Sequence, residues 1–220
     1  MNPQNPQNQL NFFTSGRLGF KIIRILIILS LAVVLIQEAG AGVEMGQADF
    51  QEPLLLESGL ATVNEAEVTI VIWLESPELD NGILTALPQA GWQWESMTYE
   101  SGWQHAISIS GTKITTSEEE STIRDWYLTL AHQVAEVGGI VYFDERVAES
   151  LDIAAYLASR QAVPQQWTYL ASTRSIAGYQ AGLNNPVIAG LDQVNIQLLT
   201  RGTGDQGQTV LAIPVLLQEF

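Results

Sequence analysis

The chain has 220 residues, with nine Lys and Arg against 24 Asp and Glu, a formal net charge of −15 and no cysteine. Such acidity disfavours nucleic acid and anionic membrane surfaces, because both need Lys and Arg to displace counterions. The lack of cysteine excludes a disulfide framework, a thiolate nucleophile, zinc–thiolate sites and iron–sulfur clusters, while 46% hydrophobic residues and six Trp supply a real core.

Residues 1–16 are rich in Asn, Gln and Pro and are expected to lie outside the fold. Arg17, Lys21 and Arg24 then precede an apolar run from Ile25 to Ile36, which closes with Ala39-Gly40-Ala41. This is the layout of a secretory signal peptide, with Ala39 and Ala41 as the small residues before the cut. A spanning helix needs about 20 apolar residues, and Gln37-Glu38 stops the run short of that. The expected organisation is a signal peptide or N-terminal membrane anchor over 1–41 and one exported domain over 42–220. Membrane contact is then confined to the N-terminal segment, and the domain lies outside the cytoplasm, secreted or held at the outer face of the membrane. Export without cysteine suggests a bacterial source. The exported part keeps six basic and 23 acidic side chains.

Within that part, a short helix is predicted over Asp49–Leu60, with Pro53 in its first turn and Gly59 at its end. Glu67–Glu75 reads as a strand with Val68, Ile70, Ile72 and Leu74 on one face and acids flanking the other. Ser76-Pro77-Glu78 opens a helix that should run to Leu87. Residues 92–99 and 103–110 form a predicted hairpin, followed by a short strand over Lys113–Thr116. Ser117 and Glu120 have capping-box spacing and open a helix whose apolar stripe is Ile123, Trp126, Tyr127, Leu130, Val134 and Val137. Gly138-Gly139 ends it, and Ile140–Phe143 is a short buried strand. Asp144 is expected to cap a second long helix ending at Pro164. The remainder reads as strands over Trp167–Ile176, Gln193–Thr200 and Thr209–Leu217. Pro214 implies an edge or a bulge in the last of these. Interleaving without a regular βαβ alternation predicts an α+β fold.

Catalytic motifs are scarce. His105 shares a strand face with Trp103, Ile107 and Ile109, and His132 falls opposite the apolar stripe of its helix; both read as structural. No HExxH or second ligand at metal spacing is present, so no metal and no cofactor is expected. No Gly-x-Ser-x-Gly elbow occurs. Paired carboxylates could serve glycoside hydrolysis, but 23 acids make many pairs by abundance alone. Glu118-Glu119-Glu120 is explained by helix capping, and Gly202-Thr203-Gly204 with Gly207 by a turn. The feature with binding character is aromatic: Trp92 and Trp94 share a face of the predicted hairpin with Trp103 and Tyr99 nearby. Exposed, this patch could stack a sugar or clasp a peptide; buried, it is a core layer beneath the helices.

The segments Leu170–Tyr179, Val194-Asn195-Ile196-Gln197-Leu198 and Ala212-Ile213-Pro214-Val215-Leu216, with terminal Glu219-Phe220, resemble the YwmB family of Firmicutes. Ala212-Ile213 stands where that family has Gly-Thr, Phe220 replaces a Tyr, and Thr173-Arg174 breaks the Ser spacing. The resemblance covers residues 165–220 best, and 50–160 by order of elements. It implies a two-layer fold likened to the TATA-box-binding protein, with two α+β subdomains, antiparallel sheets and two long helices. It supplies no catalytic residue, and a fold likeness does not transmit DNA binding. The reading that follows is an exported, non-enzymatic envelope protein binding a peptide, a protein or a glycan of the cell wall. A cell-wall hydrolase using paired carboxylates is the alternative, and nucleic acid is not an expected partner.

Overall fold

A computed structural model describes residues 54–75, 87–101, 104–183 and 185–217, all within the unit Met45–Phe220. The expected signal segment, the cleavage site at Ala39 and Ala41, the helix after Ser76 and the side chains of Trp103 and His105 lie outside the described residues.

The strand pattern read from the sequence organises the molecule. β1 (Glu65–Leu74) buries Ala66, Val68, Ile70, Ile72 and Leu74 on one face. β2 (Gln93–Ser101) and β3 (Gln104–Thr116) form the expected hairpin, and α1 (Ser117–Glu136) follows. β4 (Ile140–Val147) returns to the far side of β1. β1 therefore sits between β3 and β4 and runs antiparallel to both, while α1 makes the crossover, a split βαβ arrangement. The second half comprises α2 (Ile153–Ser159), β5 (Val163–Leu170), β6 (Thr173–Tyr179), the small hairpin β7 (Val187–Ala189) and β8 (Asp192–Val194), then β9 (Ile196–Arg201) and β10 (Gln208–Ile213). β10 pairs with β4, so both halves share one eight-stranded antiparallel sheet in the order β2-β3-β1-β4-β10-β9-β6-β5. The fold is α+β.

The helices share one face of this sheet. α1 packs on β1, β3 and β4 through Ile123, Tyr127, Leu130, Ala131 and Val134, and α2 packs on β5, β6 and β9. The cross-strand register places Ile109, Ile70, Phe143, Ile213 and Leu211 beneath them. Among the described residues no helix packs on the opposite face, although Thr69, Tyr142, Asp144, Val210 and Ala212 on it are buried and the β7–β8 hairpin meets β5 and β6. There the row Thr112, Thr69, Asp144, Ala212, Gln197, Ala177 and Gln166 crosses seven strands.

Several expectations change. Asp144 caps no helix: β4 continues through Val147, and the second helix is only seven residues long, capped instead by Asp152, whose carboxylate accepts from Ala154 N and Ala155 N at 3.1 and 3.0 Å. Strand propensity in Ile140-Val141-Tyr142-Phe143 and its pairing on both sides overrode a local cap signal. The helix start moves by one residue and only half of the capping box forms. Thr116 is the N-cap without a side-chain cap bond, while Glu119 reaches back to its backbone N–H. This frees Glu120 to turn inward. Trp126 is half-buried at the margin of the stripe, and Val137 lies past the helix end at 47% exposure. The helix over 54–60 is a single 3₁₀ turn, Leu56–Ser58, closed by Gly59 at φ +75°. β3 runs unbroken to Thr116, so no separate third strand exists. Trp167–Ile176 is a hairpin turning at Ala171-Ser172 rather than one strand. Pro214 lies neither at an edge nor in a bulge, because β10 is central and stops at Ile213.

Candidate functional site

Three groupings of side chains carry chemical character, and β4 supplies residues to all of them. Alternation along β4 sends Glu145 toward the helices and Tyr142, Asp144 and Arg146 to the other face.

On the helix side, Glu145 and Glu120 are 0% and 1% exposed. Glu145 Oε2 accepts from Leu55 N at 2.7 Å, while Glu120 accepts from Leu56 N at 2.7 Å and Glu57 N at 2.9 Å. Burial first, and then the adjoining Glu120, push the Glu145 carboxyl well above the usual carboxylate range. Glu145 Oε1 is buried with no hydrogen-bond partner among the described residues, which favours the protonated form of this carboxyl. The pair clamps the 3₁₀ turn onto the start of α1. The two carboxyls adjoin one another and are buried in the core, whereas glycoside hydrolysis needs two carboxyls held apart on either side of a substrate.

The second grouping is on the face opposite the helices. Arg146 Nε donates to Asp144 Oδ1 at 2.9 Å, with both side chains largely buried. Burial raises the Asp144 carboxyl, Arg146 pulls it back, and the Glu67 charge adds a smaller upward push. Glu67 stands directly across from Arg146 in the register. Arg146 Nη2 is buried without a hydrogen-bond partner.

The third grouping lies on the same face toward β2. Trp73 and Tyr99 meet with ring centroids 5.3 Å apart and planes tilted by 46°. Met97, Ser108, Trp73 and Ile140 form one cross-strand row. Glu95, Ser110, Val71 and Tyr142 form the next. Met97 is 59% exposed, and the Trp73 indole N–H donates to Glu75 at 3.4 Å. The Tyr142 phenol is raised by burial and then by the charge of Glu75, so it stays a neutral donor. The result is a half-buried aromatic floor bordered by hydroxyls and carboxylates.

The residues singled out from the sequence distribute differently. Trp92 and Trp94 do come together, stacked at 5.2 Å, and both close against Trp126 of α1 at 5.4 and 6.3 Å. Trp94 lies over Gly111, where any Cβ would meet its ring at 2.2 Å, and its indole donates to Pro88 O at 2.8 Å. This is the packing layer beneath a helix. His132 is exposed and pairs with Glu136 at 3.3 Å. Among the described residues no group of three metal-ligating side chains occurs. Trp73 and Tyr99 were readable by parity: Trp73 alternates with the buried Val68–Leu74 set, and Tyr99 is five residues from Trp94 on the same strand, hence on the opposite face.

No protein-family model matches the chain, and no curated protein does. Among solved structures, the ligand-free regulatory subunit of aspartate kinase from Thermus thermophilus is similar at 12% identity, over 69% of this chain and 83% of that one. Its TM-score is 0.20, too low to carry an argument about fold or function.

Proposed function

We propose that this is an exported, non-enzymatic cell-envelope protein that binds a neutral or cationic envelope component, a glycan or a peptide, at the β2–β3–β1 end of the sheet face opposite the helices. The observation that carries the proposal is the Trp73–Tyr99 pair on that face, with Met97 exposed beside it. Aromatic rings bordered by Ser108, Ser110, Glu75 and Glu95 suit a ligand with apolar ring faces and hydrogen-bonding edges. The N-terminal basic and apolar segments ending at Ala41 support export, and the C-terminal resemblance supports placement in the YwmB family with a TATA-box-binding-protein-like saddle.

The same face argues against duplex DNA. Of the six basic residues beyond Ala41, Lys113, Arg124 and Arg146 are paired with Glu119, Asp125 and Asp144. Arg160 lies over the Tyr156 ring, and Arg201 donates to Gln208. Arg174 shares the helix-side face of β6 with Ile176. The face opposite the helices carries Glu65, Glu67, Glu75, Glu95 and Asp144. A saddle that binds DNA needs free Arg and Lys there.

The test is a fluorescence titration of the purified protein with soluble cell-wall glycan fragments, cell-wall peptides and a low-salt DNA duplex. Saturable binding of a glycan or peptide should weaken about tenfold with Trp73→Ala, ~1.4 kcal/mol, and stay unchanged with His132→Ala. Duplex binding that weakens with added salt, or ligand binding indifferent to Trp73→Ala, overturns the proposal.

A further inference from the structure

The two ends of the eight-stranded sheet are built differently. β2, at one end, carries Glu95 and Glu100, charges that discourage another strand from adding there. β5, at the other end, has the sequence Val-Pro-Gln-Gln-Trp-Thr-Tyr-Leu and no charge at all. Val163, Trp167, Tyr169 and Leu170 are 58, 51, 66 and 74% exposed. Pro164 and the bulge between Pro164 and Gln166 blunt only the start of this strand, leaving residues 166–170 as an edge that no other strand pairs among the described residues. Beside it, Gln166 ties down the β7–β8 hairpin through Ala189 O and Asp192. Ile188 and Leu191 of that hairpin add exposed apolar surface.

We infer that β5 is a homodimer interface, in which β5 of one copy pairs antiparallel with β5 of a second across a two-fold axis at Thr168. Charge selects this occupant. The chain carries −15, yet no Asp or Glu occurs between Asp152 and Asp192, where the charged residues are Arg160 and Arg174. Two copies repel wherever their acidic surfaces meet, and this quarter is where they do not. Strand geometry agrees. β5 turns into β6 through the two-residue connection Ala171-Ser172, closed by the pair Leu170 and Thr173. A closing pair of this kind exchanges hydrogen bonds, so Leu170, Thr168 and Gln166 bond inward and the N–H and C=O groups of Trp167 and Tyr169 point outward. With the axis at Thr168, Trp167 of each copy faces Tyr169 of the other, giving two hydrogen-bonded pairs and two aromatic cross-strand contacts. The arrangement is self-complementary and closed, because the acidic β2 edges left at both ends stop further addition. It is independent of the Trp73–Tyr99 surface, which lies toward the opposite end of the sheet.

Sedimentation of the purified full chain tests this, together with cysteine cross-linking, which is clean because the chain has no native cysteine. The protein should be a dimer at micromolar concentration. Tyr169→Lys should weaken association at least about tenfold with an unchanged circular dichroism spectrum, since that side chain is exposed in the monomer. Thr168→Cys should form an intermolecular disulfide on mild oxidation, because facing residues of a non-hydrogen-bonded antiparallel pair lie about 4.5 Å apart at Cα, within disulfide reach. Met97→Cys on β2 should not. A chain that stays monomeric up to about 1 mM, a dimer indifferent to Tyr169→Lys, or equal cross-linking from Met97→Cys overturns the inference.

Discussion

Asp144 and Glu145 are adjacent in sequence, both buried, and both have carboxyls raised chiefly by burial. They solve the same problem in different ways because the pleat sends them to opposite faces. Asp144, on the face opposite the helices, meets the guanidinium of Arg146 two residues along and keeps its charge partnered. Glu145, beneath α1, meets another carboxyl and, among the described residues, no cation, so its protonated form is favoured. Buried charge must be paired or neutralised, and the choice of means separates an ion pair from a structural lock. On the helix side the backbone of Leu55–Glu57 is held by the two carboxyls as acceptors. On the other face the pair stays ionic, and Arg146 Nη2 has no hydrogen-bond partner among the described residues.

The largest expected effect comes from breaking the lock. Glu145→Ala removes the acceptor of Leu55 N–H and opens a cavity beneath α1, which should cost about 3–5 kcal/mol in a urea melt. Glu145→Gln keeps the volume and the acceptor and resembles the protonated acid, so its loss should be no more than about 1 kcal/mol. Equal losses for Gln and Ala would show that the folded state uses an ionised Glu145.

That contrast also marks what the sequence could show. The period-two pattern of Glu67–Glu75 placed β1 correctly, and the stripe Ile123–Val134 placed α1, because each reports burial on one side only. Glu145 was invisible as a buried residue, since its environment comes from Leu55 and Glu120, 90 and 25 positions away. Asp144 was misread because a cap and an in-strand acid look alike when the strand is taken to end at Phe143. Trp73 was overlooked beside the more obvious Trp92 and Trp94, although parity alone separates the packing pair from the one on the opposite face. Pro214 suggested an edge because the pairing of β10 with both β4 and β9 is a tertiary fact.

Next in size is the removal of the counter-ion on the face opposite the helices. Arg146→Ala leaves Asp144 buried without its charge-assisted bond, and a loss of about 2–3 kcal/mol is expected. The Asp144 carboxyl should titrate at higher pH in this variant, because the downward pull of Arg146 is gone. Nuclear magnetic resonance of the side-chain carboxyl measures that directly. An unchanged titration would mean that Arg146 exerts no downward pull on the Asp144 carboxyl.

The two faces also differ in pH dependence. A carboxyl raised in the folded state binds its proton more tightly there than in the unfolded chain. Its stabilisation is therefore fully present below the unfolded Glu value of about 4.3, and it is lost as pH rises through the higher folded value. Glu145 should impose this downward slope on stability, and Glu145→Gln should flatten it. Asp144→Asn should flatten it less, because Arg146 already offsets part of the rise. Glu119 and Glu149 are lowered by their hydrogen bonds to Lys113 and Thr62 and act in the opposite sense. Both reach solvent, so their contribution is screened and small. Urea midpoints from pH 4 to 8 decide the point, and a slope unchanged in Glu145→Gln would place the titrating group elsewhere.

Asp152 is the mildest member of the comparison, a carboxylate satisfied by backbone N–H groups in water rather than by a cation or a proton. It caps a helix of only seven residues, whose intrinsic stability is poor. The cap therefore holds Tyr156 and Leu157 in register over β5, β6 and β9 more than the helical bonds do. Asp152→Ala leaves the N–H groups of Ala154 and Ala155 to solvent alone and should cost about 1 kcal/mol. Asp152→Asn retains a side-chain oxygen at the same place and should cost only a few tenths of a kcal/mol. The same urea melts measure both. If Asn proves as damaging as Ala, the cap acts through its charge on the helix dipole rather than through acceptor geometry, and Asp152 belongs with Asp144 as a charge that needs an opposite partner.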